Sequence, residues 1–75
     1  MSPRLPRVTS AEMARAVERL GFRISRQSES HRIYRSDEGR RVTLPFHAGK
    51  TLHPKLLASI LRDAGITADE LREVL

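Results

Sequence analysis

Apolar and polar positions change period along the chain, and the changes mark out a helix, a run of strands and two further helices. Met13, Ala16, Val17 and Leu20 recur at the i, i+3, i+4, i+7 spacing of one helical face. That helix has signals at both ends. Thr9 and Glu12 form a capping box, and Gly21 stops the helix because glycine adopts the left-handed conformation without a Cβ clash. The period then drops to two. Phe22 and Ile24 alternate with Arg23 and Ser25, which predicts a strand over about 22–27. A second strand is expected over about 31–36, a turn at Asp37-Glu38-Gly39, and a third strand over about 40–45. The third strand sets Val42 and Leu44 on one face and Arg41 and Thr43 on the other, and stops at Pro45, which has no N–H for a ladder. On residue type Ile33 is expected to face the core. His31 would then share that side and escape burial only at the strand's edge.

Residues 46–53 read as a loop. Pro54 opens a second helix, Leu56, Leu57, Ile60, Leu61 and Ala64 line its apolar face, and Gly65 closes it. Thr67 and Glu70 repeat the capping box ahead of a short last helix with Leu71, Val74 and Leu75 on its apolar side. The order α-β-β-β-α-α predicts an α+β, two-layer sandwich with a three-stranded antiparallel meander. One sheet face packs under the first two helices. The other carries Arg23, Ser25, Arg41 and Thr43 and is expected to be solvated.

Seventy-five residues hold one core, so residues 1–75 are read as a single domain, with residues 1–7 (two prolines, two arginines, no periodicity) as a loose basic arm. An apolar fraction of 39% with 31% charged residues fits a small soluble globule rather than a disordered tail. The absence of cysteine excludes disulfides and thiolate zinc sites. No apolar run approaches the roughly 20 residues of a membrane span, and the basic start lacks the apolar segment of a secretory signal, so a cytoplasmic location is expected. Charge changes the picture more. Residues 1–50 carry eleven basic and five acidic side chains, residues 51–75 three and four. A basic body with a near-neutral tail fits a polyanionic partner, nucleic acid first, and a solubilising surface is the plain alternative.

The candidate chemistry lies between Ser30 and Lys50. Ser30-His31-Arg32-Ile33-Tyr34-Arg35 and Pro45-Phe46-His47-Ala48-Gly49-Lys50 hold two of the three histidines, with Arg32, Arg35, Arg40, Arg41 and Lys50 around them. Histidine suits proton transfer near neutral pH, and the cations suit phosphate. These two stretches, with Leu20-Gly21-Phe22 and Ile60-Leu61-Arg62-Asp63-Ala64-Gly65-Ile66, resemble the HicA family of toxins over roughly residues 8–75. The resemblance implies a double-stranded-RNA-binding-domain-like fold and an mRNA interferase activity. It also implies a toxin–antitoxin module in which a HicB-type antitoxin binds and silences the toxin. The family's active histidine lies in a Gly-Ser-His motif that maps onto Glu29-Ser30-His31, with glutamate in the glycine's place.

Cleaving RNA by transesterification needs a base for the 2′-hydroxyl, an acid for the leaving oxygen and positive charge on the phosphate. His31 is the candidate for the proton transfer, against a reading as a strand-end histidine bonded to backbone. His47, in the loop, is a second acid–base candidate or a phosphate contact. His53 reads as a neighbour of a helix N-cap rather than as chemistry, and the three histidines lack the compact spacing of metal ligands. Lys50 and Lys55 flank the start of the second helix, where free N–H groups favour phosphate. Arg32 and Arg35 are candidate RNA or antitoxin contacts, and Tyr34 either stacks on a base or packs. No metal or small-molecule cofactor is expected. The resemblance makes mRNA the expected substrate and a HicB-type antitoxin the expected protein partner. Two other readings stay open: a non-catalytic RNA-binding module of the same fold, which would need no histidine, and a protein-interaction domain, which would not need the basic excess.

Overall fold

The computed structural model describes residues 5–47 and 49–75. The elements follow the expected order: α1 (Ser10–Arg19), β1 (Arg23–Gln27), β2 (His31–Arg35), β3 (Arg41–Pro45), α2 (Pro54–Ala64) and α3 (Ala68–Val74). Both capping boxes close. Thr9 Oγ1 accepts from Glu12 N while Glu12 Oε1 accepts from Thr9 N, and Thr67 and Glu70 repeat the exchange at α3. The bond from Thr9's backbone pulls the Glu12 carboxyl below the usual range. Pro54 stands in the first turn of α2, and Gly65 ends it in the left-handed conformation at φ 72°.

The strands form one antiparallel sheet in the order β1-β2-β3. The helices α1 and α2 pack on the sheet chiefly at β3, while every residue of β1 is exposed. Val42 and Leu44 point into the core as expected, where they meet Met13, Val17, Leu57 and Ile60. Of the expected arm, residues 1–4 lie outside the described residues, and Leu5 packs against the core. Val8 is tied in more firmly: its carbonyl accepts from Leu52 N at 2.7 Å, beside a bridge between Thr9 and Thr51. Among the described residues no helix is long and apolar enough to cross a membrane.

Three expectations are corrected. Ile33 does not face the core; Tyr34 does, fully buried opposite Val42. The register decides this, because β2 residues paired with the inward Val42 and Leu44 must themselves point inward. Tyrosine also fills the site better, since its ring packs while its hydroxyl reaches the rim and donates to Glu18 Oε2 at 3.1 Å. Burial raises the Tyr34 phenol above its ordinary value, the nearby Arg32 opposing. Leu56 lies 37% exposed, because the inward stripe of α2 is Leu57, Ile60, Leu61 and Ala64, and Leu56 falls just outside its edge, beyond Ile60. In β1 the alternation fails at Ile24, 47% exposed on an edge that no helix covers, while Phe22 just ahead of the strand is buried.

Candidate functional site

The β1–β2 hairpin places His31 at the first position of β2. Ser28 closes the hairpin: its N–H donates to the His31 carbonyl at 2.9 Å, and its hydroxyl accepts from His31 N at 3.2 Å. Glu29 and Ser30 are therefore the two central residues of the turn. Neither has positive φ, so the backbone at position 29 does not require glycine, and a glutamate stands there without strain. The Ser30 hydroxyl lies 3.0 Å from His31 Nδ1. With Nδ1 so engaged, Nε2 is the ring nitrogen left for chemistry, on an imidazole that is exposed to solvent. Because Ile33 faces outward, His31 belongs to the open sheet face, and the conflict between catalysis and burial raised by the sequence disappears.

The register puts His31 directly opposite Pro45, the end of β3. A buried hydroxyl fixes that end, since Ser10 Oγ donates to the Pro45 carbonyl. Phe46 N then donates to the Ser30 carbonyl at 2.7 Å, which ties the loop after β3 to the turn before His31. Past it, Lys50 N donates to the His47 carbonyl at 3.2 Å in a turn with Gly49 at φ 74°. Ala48 lies outside the described residues. A cleft of about 330 Å³ runs on from Pro45 and is lined by His47, Lys50, His53 and Leu56. The exposed Leu56 thus belongs to the cleft wall rather than to the core.

The other site candidates separate by face. Arg35 stands on the open face with His31, at the far end of β2. Arg32 points to the helix side, with its guanidinium 4.1 Å from the Phe46 ring centroid, a contact worth about 0.5–1 kcal/mol at a partly exposed site. His53 is the N-cap of α2, and its Nδ1 accepts from Lys55 N at 3.1 Å. That bond occupies one of the free N–H groups at the helix start, so the positive charge there is carried chiefly by the exposed Lys50 and Lys55 side chains. Among the described residues no three His, Asp or Glu side chains converge as metal ligands. Ser30 and Ser10 orient the two strand ends; the sequence marks Ser30 only as part of the Glu29-Ser30-His31 motif, with no role of its own, and does not mark Ser10. A hydroxyl beside a histidine was the visible signal for Ser30.

No curated protein matches the chain. A family model described as HicA toxin of bacterial toxin-antitoxin matches residues 10–66, from the first residue of α1 to just past α2. That span includes the hairpin, His31, the loop with His47 and Lys50, and the capped start of α2. The match covers most of the chain, and so the protein belongs to the HicA family of toxins of bacterial toxin–antitoxin systems.

Proposed function

We propose that this toxin is an mRNA interferase, a metal-independent endoribonuclease of a type II module that a HicB-type antitoxin neutralises. The observation that carries the reading is the exposed His31 imidazole, held at Nδ1 by Ser30 and open at Nε2 on a rigid strand. In the reaction His31 takes the proton of a 2′-hydroxyl as its oxygen attacks the adjacent phosphorus. The bond to the 5′-oxygen breaks and that oxygen gains a proton, leaving a cyclic phosphate and a free 5′-hydroxyl. His47, in the cleft beyond Pro45, is the second acid–base group, and Arg35, Lys50 and Lys55 hold phosphates on either side. Arg32 reaches the same strand end from the helix side and steadies Phe46 ahead of His47. Free cationic groups over a protein-bound histidine are what phosphoryl transfer needs in the absence of a metal.

The test is expression without the antitoxin. Induction should arrest growth and deplete mRNA, and co-expression of the antitoxin should restore growth. Continued growth while soluble, folded protein accumulates would overturn the reading. A second measurement concerns phosphate grip. Lys50→Ala with Lys55→Ala should flatten the dependence of RNA binding on salt by about 1.4 in log–log slope, at roughly 0.7 per lost contact on a single strand. An unchanged slope places the RNA away from the cleft.

A further inference from the structure

The sheet register brings three arginines into one line. Arg23 pairs with Arg35 across β1 and β2, and Arg35 pairs with Arg41 across β2 and β3. All three are exposed and stand on the open face, since their strand neighbours Tyr34 and Val42 point the other way. A bulge at Ser25 shifts β1 by one residue, so that Arg26 pairs with Ile33 and joins the same face one step nearer His31. Among the described residues, the paired strands place no acidic side chain on that face. Asp37, in the turn beyond, comes within 3.9 Å of Arg23, but both groups are more than 80% exposed, and such a pair contributes little.

Like charges directly opposite each other on neighbouring strands destabilise a sheet. Three in a row are a standing cost that folding does not need. Protection of an exposed edge explains charge on β1, but Arg35 lies in the central strand and needs no such role. A polyanion lying across the face would turn the repulsion into attraction. Among the described residues the paired strands give this face only Ile33 and Pro45 as apolar groups, and no Phe, Tyr or Trp, so it lacks the apolar centre on which a protein interface is built. An evenly spaced phosphate chain needs no such centre.

We propose that the open sheet face is a track for the RNA backbone, in which Arg23, Arg35 and Arg41, with Arg26 beside them, hold phosphates to one side of the bond cleaved at His31; this rests on the ribonuclease reading above. Neighbouring strands lie about 4.8 Å apart, so the row is about 10 Å wide. Arg35 is four residues from His31 on the same face, about 13 Å along the strand. The row thus lies beyond the phosphate next to the reacting one. It sets the substrate length the enzyme grips rather than the chemistry it performs.

The experiment uses the full chain carrying Arg23→Gln and Arg41→Gln, the two flanks of the row. On a long single-stranded RNA the variant should lose about 1.4 in log–log salt slope, from two lost contacts. Cleavage of a trinucleotide, too short to span from His31 to the row, should keep the parent rate. Removal of the like-charge row should leave the melting temperature equal or higher. An unchanged slope on long RNA with parent-like cleavage overturns the track and leaves the ribonuclease reading standing. Equal losses on the trinucleotide and the long RNA overturn it as well, because they indicate a general field. A lowered melting temperature with proportionate activity loss makes the row structural. Unchanged RNA binding with loss of antitoxin binding assigns the face to an acidic protein surface instead. If the parent neither binds nor cleaves RNA, the ribonuclease reading falls, and the track with it.

Discussion

His31→Ala is expected to lower single-turnover cleavage of a defined RNA by about 10²–10⁴-fold, or roughly 3–5 kcal/mol of barrier, while the melting temperature barely moves. The two halves of this expectation have separate grounds. The imidazole is exposed, and among the described residues its side chain bonds only to the adjacent Ser30 hydroxyl, so folding loses about 0.5 kcal/mol or less with it. The backbone of His31, by contrast, closes the hairpin through Ser28, and alanine keeps those bonds. A structural histidine would show the reverse: a lower melt and an activity loss in proportion. Ser30→Ala separates orientation from chemistry. Loss of the Nδ1 partner should lower the rate by only about 2–10-fold, the value of one hydrogen bond, without affecting the melt. All assays are run in chelator, so that a metal route cannot stand in for the histidine. Full cleavage by the His31→Ala protein would move the chemistry to His47 or remove it from this chain.

How much of this was legible in the sequence depended on whether the signal was local. The caps at Thr9 and Thr67, the stops at Gly21 and Gly65 and the turn at Gly39 are all properties of a few consecutive residues, and each appeared where expected. The inward face of β2 was not local. Ile33 and Tyr34 are neighbours, both suited to a strand, and only the pairing with Val42 and Leu44 decides between them. The error carried over to His31, which shares its face with Ile33 in either parity. The arginine row was hidden for the same reason, with one step more. Arg23 and Arg41 were placed on the solvated face, but their alignment with Arg35 needs the register, and Arg26 reaches that face only through the bulge at Ser25. Of the site, the Ser30-His31 pair and the cations around Lys50 were visible as residue types. The cleft that joins His47, Lys50 and His53 required the chain to fold back on itself between Pro45 and Pro54.

The register gives the largest expected effect on stability, at Tyr34. Tyr34→Ala removes a fully buried ring from the centre of the sheet's inner face and leaves a cavity, at a cost of about 3–5 kcal/mol on the scale of large aromatic truncations. A 75-residue domain has about 4–11 kcal/mol in total, so the variant should be largely unfolded at growth temperature or nearly so. Ile33→Ala, on the open face, should cost about 1 kcal/mol or less. Tyr34→Phe keeps the ring and loses only the bond to the exposed Glu18 carboxylate, about 0.5–1.5 kcal/mol. Urea melts of the three variants measure the order directly, and a greater loss at Ile33 than at Tyr34 would show that β2 sits in the opposite parity. The hydroxyl adds a dependence on pH. Burial favours the neutral phenol, so the folded pKa lies above the unfolded value near 10. The stability this confers is complete below that value and is lost as pH rises through the folded pKa, because the unfolded chain releases the proton first. The parent protein should therefore weaken on the alkaline side of about pH 10, and Tyr34→Phe, which has no proton to release, should lack that decline.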